Sequence, residues 1–349
     1  MRKILLSFIF ILSLFSVQLK AQELLGIANS NYAGITGVHL NPSSIVGSRM
    51  RWDINLIGAD IFLQNNYVYH PNIYRGRGSD TAYQSYEGFR DYYTPNPAKN
   101  AFINLTTYLP SFMFRVKKHT FAFVFNTKLQ FSLTDLDYRL AKFAYDERHL
   151  GYAPQQNQPY RFDPFDIAMM YWGELGLSYG YPIINKNRNY LAGAFTAKRL
   201  FGLAGIYLNS NKLNLEVREN NNPNITGPSQ DIFVNGMDWE FGYGIANEET
   251  FFPGGGFGFD VGFTYERKRN LGFIPFHKRN KIQPYIYKAG ISMIDIGAIS
   301  FTENSRQSEV KVDAPFTWAD VNNTNINSPD SLDYQLSTTA FNGDALQSS

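Results

Sequence analysis

The sequence contains no cysteine, so it has no disulfide framework and no thiol to which a lipid could be attached after export. Beyond its first 21 residues, no apolar run approaches the roughly 18 residues typical of a membrane-spanning helix. Histidine is scarce, at five residues, and none has the spacing of metal ligands. These absences exclude helical membrane spans and predict no metal and no cofactor.

Positive and negative charges are nearly balanced, with 32 Lys and Arg against 30 Asp and Glu. The formal net charge is +2, and removal of Arg2, Lys3 and Lys20 with an N-terminal signal would leave −1. A nucleic-acid-binding protein concentrates basic residues on one face, so we expect no nucleic-acid partner.

The N-terminus has the organisation of a secretory signal. Arg2 and Lys3 precede an apolar run from Ile4 to Val17, and a small residue follows at Ala21. The alternative is a membrane anchor, but the run is shorter than the roughly 20 residues that span a bilayer as a helix. We therefore predict export with cleavage after Ala21, and residues 1–21 as the signal.

Aromatic residues are abundant. Phe, Tyr and Trp make up 16% of the chain, with 29 Phe and 23 Tyr, yet the mean hydropathy is −0.29. Strands with one face towards lipid and the other towards a polar lumen have this composition. The sequence therefore favours an all-β fold, an antiparallel transmembrane β-barrel, and the bacterial outer membrane with its lipid as the surroundings.

Period-two alternation marks the strands. In residues 257–266, Phe257 and Phe259 alternate with Gly258 and Asp260, and the pattern continues to Glu266. Large apolar groups on one face and small or charged groups on the other suit a lipid-facing strand, although a half-buried strand of a soluble protein also alternates. We predict strands over 51–63, 101–116, 120–134, 171–183, 190–208, 256–267 and 284–302.

The same alternation predicts which polar side chains face the lumen. A mixed polar lining follows from the inward positions of three strands. These residues are Glu174, Ser178, Asp260, Thr264, Glu266, Lys288 and Ser292.

Connections between the predicted strands alternate in length. Residues 64–100, 135–170 and 209–255 form long loops, and the turns near Lys117 and Asn187 are short. This parity is typical of outer-membrane barrels, whose long loops are extracellular, and disfavours a soluble periplasmic β-protein. The first long loop carries a Tyr- and Arg-rich surface, which either packs over the barrel mouth or recognises a partner. Its residues are Tyr74, Arg75, Arg77, Tyr92 and Tyr93.

The odd number of predicted strands is notable because bacterial single-chain barrels close with an even number. Residues 303–349 are polar and contain no convincing closing strand, so we assign them to a polar tail or a long loop. We therefore expect the chain to be truncated at the C-terminus, with barrel strands and loops over residues 50–302.

Between the signal and the first strand, residues 22–49 contain the motif Asn41-Pro42-Ser43. Pro42 fixes φ and Asn41 can bond its own backbone, which predicts a tight turn or a helix start. The segment is either a simple lead into the barrel or a hatch folded inside the lumen.

A resemblance rests on this motif. Residues 37–45, Gly-Val-His-Leu-Asn-Pro-Ser-Ser-Ile, resemble the Asn-Pro-Ala element of outer-membrane long-chain fatty-acid transporters, with Ser43 in place of Ala. Together with residues 288–301, they are more similar to an uncharacterised Bacteroidota outer-membrane barrel family, a domain of unknown function. The resemblance implies a transporter-like barrel with an N-terminal hatch, and no substrate.

Catalysis finds little support, and we expect no enzyme. His119 lies in a turn, and His70 and His149 lie in loops. A membrane-embedded hydrolase would need His, Ser and an acid to converge in space. The leading hypothesis is a channel or carrier for a small solute, hydrophobic molecules included. The alternative is a scaffold or adhesion barrel whose Tyr/Arg-rich loops bind a protein partner.

Overall fold

A computed structural model describes residues 26–28, 30, 32–48, 50–69, 90–91, 98–142, 159–219, 230–269, 285–312 and 316–317. The predicted signal at 1–21 lies outside the described residues. So do the predicted recognition residues Tyr74, Arg75, Arg77, Tyr92 and Tyr93.

The described residues are almost entirely β-structure. Two 3₁₀ helices, Gly34–His39 and Pro42–Ile45, precede the strands, and a short α-helix occupies residues 138–142. The strands are β1 (Trp52–Asn55), β2 (Gly58–Asn65), β3 (Val68–Tyr69), β4 (Arg90–Asp91), β5 (Ala98–Tyr108), β6 (Ser111–Val116), β7 (His119–Asp137), β8 (Pro159–Phe162), β9 (Phe165–Lys186), β10 (Asn189–Glu219), β11 (Gln230–Ile245), β12 (Gly254–Lys268), β13 (Tyr285–Phe301), β14 (Ser305–Val312) and β15 (Phe316–Thr317).

Apart from the small β3–β4 ribbon, these strands form one antiparallel sheet. Several are collinear segments of a longer strand, so the described part of the sheet has seven lines: β1–β2, β5–β6, β7, β8–β9, β10, β11–β12 and β13–β15. The tight turns at 117–118 and 187–188 begin at residues with positive φ, 56° at Lys117 and 50° at Asn187. The sheet is therefore a meander in which each line pairs with its neighbours in the chain.

The prediction of seven strands agrees in position with this arrangement, but the predicted loops 135–170 and 209–255 and the predicted tail 303–349 contain further strand residues. β8 occupies Pro159–Phe162, and β9 begins at Phe165. β10 continues to Glu219, and β11 occupies Gln230–Ile245 within the predicted loop 209–255. β14 occupies Ser305–Val312 in the predicted polar tail. β11 pairs with β10, and β14 pairs with β11, over most of their length. Because these backbone hydrogen bonds do not depend on side-chain type, segments rich in Asn, Gly or charged residues can still form strands.

The sheet is strongly curled. Lys128 of β7 and Asp295 of β13 are separated by four strand spacings, which is about 19 Å in a flat sheet. Their side chains nevertheless meet, with Lys128 Nζ 2.7 Å from Asp295 Oδ2. Only a sheet that bends back on itself brings these strands so close. Among the described residues, β1–β2 and β13 each pair on one side only, so closure into a barrel is not observed.

The convex face of the curled sheet exposes large apolar side chains, and the concave face buries polar and charged ones. On β12, Phe257 is 73% exposed on the convex face, whereas Asp260 on the concave face is 2% exposed. The N-terminal segment, here residues 32–48, fills part of the concave face, and its Ile35, Val38 and Ile45 form an apolar cluster with the sheet. None of the described helices is long and apolar enough to cross a membrane.

Candidate functional site

The motif Asn41-Pro42-Ser43 starts the second 3₁₀ helix, as the sequence predicts. Asn41 is the extended N-cap residue, and its Oδ1 accepts hydrogen bonds from the Ser43 backbone N–H at 2.9 Å and from Ser43 Oγ at 2.7 Å. Pro42 occupies the first helical turn, where its missing N–H has no cost. The local sequence thus gives this segment a fixed shape before it contacts the sheet.

The same motif attaches the N-terminal segment to one side of the sheet. Asn41 Nδ2 donates to the carbonyl oxygens of Phe263 on β12, at 3.2 Å, and Ile291 on β13, at 3.4 Å. Ser43 Oγ lies 2.6 Å from Thr264 Oγ1. Ser292 of β13 donates to the Leu40 carbonyl at 2.8 Å.

The opposite edge of the sheet holds the segment as well. Ile35 N–H donates to Asp53 Oδ2 of β1 at 2.9 Å. Arg115 of β6 donates to the carbonyl oxygens of Ser48 and Met50 at 2.7 and 2.8 Å. The segment therefore bridges the first and the last lines of the described sheet across its concave face.

His39 is the deepest titratable group of the N-terminal segment. Its ring packs against Tyr108 with centroids 4.6 Å apart, and Asn126 Nδ2 lies 3.4 Å from its Nδ1. Burial, together with the positive charges of Lys128 and Lys198, lowers the pKa of His39 to about 3. The docked segment therefore carries a neutral imidazole at neutral pH.

Above His39, five charged side chains form a cluster on the concave face, which we call the charged cluster: Lys128, Glu174, Lys198, Asp260 and Asp295. Lys198 Nζ lies 2.8 Å from Asp260, 2.5 Å from Asp295 and 3.7 Å from Glu174. Lys128 Nζ lies 2.7 Å from Asp295 and 3.3 Å from Glu174. The members come from β7, β9, β10, β12 and β13, so the cluster joins strands across the curl.

Asp295 joins this cluster because of a β-bulge. Phe259 pairs with Ile296 and Val261 with Met293, so Ile294 and Asp295 together face Asp260. Asp295 has φ 57°, and its backbone N–H donates to Asp260 Oδ1 at 2.7 Å. Strict alternation along β13 would place Asp295 on the same face as Ile291 and Met293, towards the outside. The bulge reverses that placement.

Two neighbouring cavities lie on the side of the charged cluster away from His39. The smaller one, about 170 Å³, is lined by Trp172, Glu174, Lys198 and Asp295, and we call it the lower chamber. The larger one, about 830 Å³, lies further along the strands and is the upper chamber, and its lining comes from β5, β7, β9, β10, β11, β13 and β14. Gln130, Met170 and Ile299 line both.

Phe301 forms part of the upper chamber wall and lies flat on glycines of the neighbouring strands. A Cβ at Gly205 or at Gly244 would come within 2.8 Å of the Phe301 ring. Tyr207 donates from its hydroxyl to Glu240 at 3.2 Å, and Gln307 donates to the same carboxylate oxygen at 2.9 Å. The chamber thus combines aromatic and aliphatic walls with a few fixed polar groups.

A third cavity, about 500 Å³, lies between the N-terminal segment and the β12–β13 pair. Glu266 and Lys288 line it, and Lys288 Nζ lies 3.6 Å from Glu266 Oε1. The segment consequently leaves space beside itself on one side of the concave face.

The structure places all seven predicted lining residues on the concave face. Glu174 and Asp260 belong to the charged cluster, and Ser178 Oγ lies 2.7 Å from Thr196 Oγ1. Thr264 and Ser292 contact the N-terminal segment. Glu266 and Lys288 form the ion pair of the third cavity.

Sequence reasoning missed Lys128, Lys198 and Asp295. The two lysines lie at inward positions of strands that were predicted, and counting alternate residues from Ser178's partner Thr196 would have found Lys198. Asp295 had no such signal, because its placement depends on the bulge. Among the described residues, no group of three or more side chains is placed to hold a metal ion.

The fold and the site define an antiparallel all-β protein whose curled sheet encloses its own N-terminal segment and a charged cluster. The chain belongs to the family of unknown function DUF5723, whose profile matches residues 42–347. That match begins within the Asn41-Pro42-Ser43 motif and extends past β15. No curated protein and no solved structure matches the chain.

Proposed function

We infer that this protein is an outer-membrane β-barrel that acts as a channel or carrier for a small molecule, hydrophobic ones included. The observation that carries the proposal is the inverted sheet, with large apolar side chains exposed on the convex face and charged groups buried on the concave face. Lipid stabilises such an outer face, and a soluble protein would leave it in water.

The outer face is broad and continuous over several strands. Single exposed apolar residues are common on protein surfaces. An apolar surface of this extent is typical of a face that contacts lipid or another protein. Its side chains are Trp52, Ile54, Leu56, Ile57, Ile61, Leu63, Phe112, Phe114, Val116, Phe121, Leu177, Tyr179, Phe195, Phe257, Phe259, Phe263, Ile291 and Met293.

Closure of the sheet into a barrel is part of the proposal. The contact between Lys128 and Asp295 and the bridging of both sheet edges by the N-terminal segment support a curl that continues to closure. A closed sheet also removes the unpaired edges of β2 and β13, which would otherwise be sites of aggregation.

The upper chamber supports the carrier role. Its volume of about 830 Å³ lies within the range of roughly 300–1,000 Å³ that ligand pockets occupy. The N-terminal segment lies across the concave face between the first and last lines of the sheet, which fits the hatch arrangement that the resemblance to fatty-acid transporters and to Bacteroidota barrels implies. We propose that solute passes only when this segment shifts.

Fractionation tests the location. We expect the full chain in the outer-membrane fraction, with a gel mobility that changes on heating because a closed barrel resists detergent until it is boiled. Release by osmotic shock, as a soluble periplasmic protein, would contradict both the barrel and the membrane.

Reconstitution tests the activity. The full-length protein in liposomes is expected to take up small apolar solutes above the rate of protein-free liposomes, and a variant lacking residues 26–48 is expected to leak more. Absence of uptake and leak for both proteins, with barrel mobility intact, would contradict the carrier role alone.

A further inference from the structure

The charged cluster holds one more negative than positive group. Glu174, Asp260 and Asp295 contribute three carboxylates, whereas Lys128 and Lys198 contribute two ammonium groups, a net charge of −1. His39 below it is neutral, because burial holds its pKa at about 3. Glu174 and Asp260 are buried, whereas the Asp295 side chain is 47% exposed. A net negative charge that includes two buried carboxylates favours a positive partner.

One oxygen of the cluster is without a hydrogen bond. Glu174 is 3% exposed, and its Oε1 accepts from Trp172 Nε1 at 2.8 Å. Its Oε2 is buried and has no hydrogen-bond donor among the residues that the structure describes, and Lys198 Nζ lies 3.7 Å away. Buried carboxylate oxygens are normally satisfied, so this atom marks a place for a missing donor.

The lower chamber gives that donor room. Glu174 and Trp172 both line this cavity of about 170 Å³, which exceeds the roughly 30 Å³ that one water molecule occupies in the liquid. Trp172 donates to the other oxygen of Glu174 and so holds this carboxylate at the wall of the chamber.

The lower chamber adjoins the upper chamber, which has largely apolar walls. Met170 and Ile299 line both chambers, and Phe301 forms a wall of the upper one. A ligand with its charged head at Glu174 would therefore extend its apolar part upwards. Arg306 also lines the upper chamber, but it is an exposed residue and is not part of the charged cluster.

We propose that the two chambers together bind an amphiphile with a cationic head group, a primary ammonium at Glu174 and an apolar chain in the upper chamber. The proposal rests on the carrier function proposed above and names the chemical class of its solute. It distinguishes this site from one for fatty acids, whose carboxylate would meet an unfavourable negative charge here.

The test compares ligands that differ only in the head group. The full-length protein in non-ionic detergent is titrated by calorimetry with decylammonium and with decanoate, both below their micellar concentrations. We expect decylammonium to bind at least about tenfold more tightly. Equal affinities, or tighter binding of decanoate, would overturn the proposal.

Two variants alter the cluster in opposite directions. Glu174→Gln keeps the shape and removes one negative charge, and we expect the preference for decylammonium to fall by about tenfold. Lys128→Gln makes the net charge more negative, −2, and we expect that preference to increase. Damage to the fold cannot produce tighter binding, so the second variant keeps the test decisive. Loss of preference in both variants would count against the proposal.

Glu248→Gln is the matched control, because Glu248 is an exposed residue of the 246–253 connection and should leave both affinities unchanged. Binding is measured without a membrane, so its outcome is separate from that of transport. Tight ammonium binding without uptake into liposomes would contradict the carrier role and leave the ligand class standing. Uptake into liposomes without a preference for the ammonium ligand would contradict the proposed ligand class and leave the carrier role standing.

Discussion

β12 carries opposite chemistry on its two faces, and the difference explains how the sheet is stabilised. Its convex face presents Phe257, Phe259 and Phe263 to the surroundings, whereas its concave face buries Asp260 and Glu266. The buried acids have cationic partners, Lys198 and Lys288 respectively. Among the residues that the structure describes, no protein layer covers these rings, a feature that the proposed membrane surface would explain.

This contrast locates the specific interactions of the protein. Apolar contact with lipid is non-directional and tolerates exchange among apolar residues. Hydrogen bonds and ion pairs on the concave face are directional, and a missing partner leaves a buried charge uncompensated. We therefore expect substitutions on the two faces to differ in kind, and the following experiments test that expectation in order of decreasing effect.

Removal of Lys198 should have the largest effect. The variant Lys198→Met leaves Asp260 and Asp295 with one fewer cation inside the sheet, and breaking a buried ion pair costs about 3–5 kcal/mol. Urea unfolding of the protein in lipid measures the loss. The control is Lys186→Met, an exposed lysine beside the turn at 187–188, which should change stability by less than about 0.5 kcal/mol.

A charge on the convex face is the next test. Ile291 is 72% exposed, so Ile291→Arg would be nearly neutral if this face met water. In a bilayer we expect a loss of about 2–4 kcal/mol, because arginine is costly near the membrane midplane. Ile183→Arg, close to a hairpin turn, should cost less than about 1 kcal/mol in lipid. Equal effects of the two substitutions would argue against a membrane surface here.

A third experiment targets the contact between the N-terminal segment and the concave face of the sheet. A Cβ at Gly262 would overlap the amide of Asn41, so Gly262→Ala should displace the N-terminal segment at a cost of about 1–3 kcal/mol. Limited proteolysis of residues 26–48 measures the release. Gly173→Ala is the matched strand control, because its Cβ would meet no atom closer than 3.9 Å.

The smallest effect should be a dependence of docking on pH. His39 is neutral when docked, with a pKa of about 3, and binds a proton below about pH 6.5 when the segment is released. The released state therefore binds more protons between these values, and docking weakens as pH falls from 6.5 towards 3. At pH 5.5 the expected loss is about 1.4 kcal/mol relative to neutral pH.

Liposome leak at pH 5.5 and 7.5 reads out this release. His39→Gln should remove most of the pH dependence of the leak, whereas His119→Gln, at the exposed first residue of β7, should retain it. A leak that responds to pH equally in both variants would assign the effect to other groups.

Much of the fold was predictable because strand alternation is a local property. The pleat places Glu174 and Ser178 on one face and Leu175 and Leu177 on the other, whatever the strand pairs with. The helix start at Asn41-Pro42-Ser43 was equally local. β11 and β14 were not predicted, although Met237, Trp239 and Phe241 alternate with Asp238 and Glu240, because neighbouring Asn- and Gly-rich stretches suggested loops.

The charged cluster could be predicted only in part. Glu174 and Asp260 follow from alternation, but the contact between Lys128 and Asp295 depends on curvature over four strand spacings. No pattern within one strand encodes that curvature. The attachment of Asn41 to Phe263 and Ile291, more than 200 residues away in the chain, is equally non-local.

The sequence by itself determined which residues form most of the strands, which side chains share a face, and where the second 3₁₀ helix of the N-terminal segment begins. Each of these follows from backbone sterics and hydrogen bonds between residues close in the chain. The tertiary structure decided the inward position of Asp295, the chambers beside the charged cluster, and the position of the N-terminal segment on the concave face. These depend on register, on a bulge and on curl, which only pairing between distant strands can set.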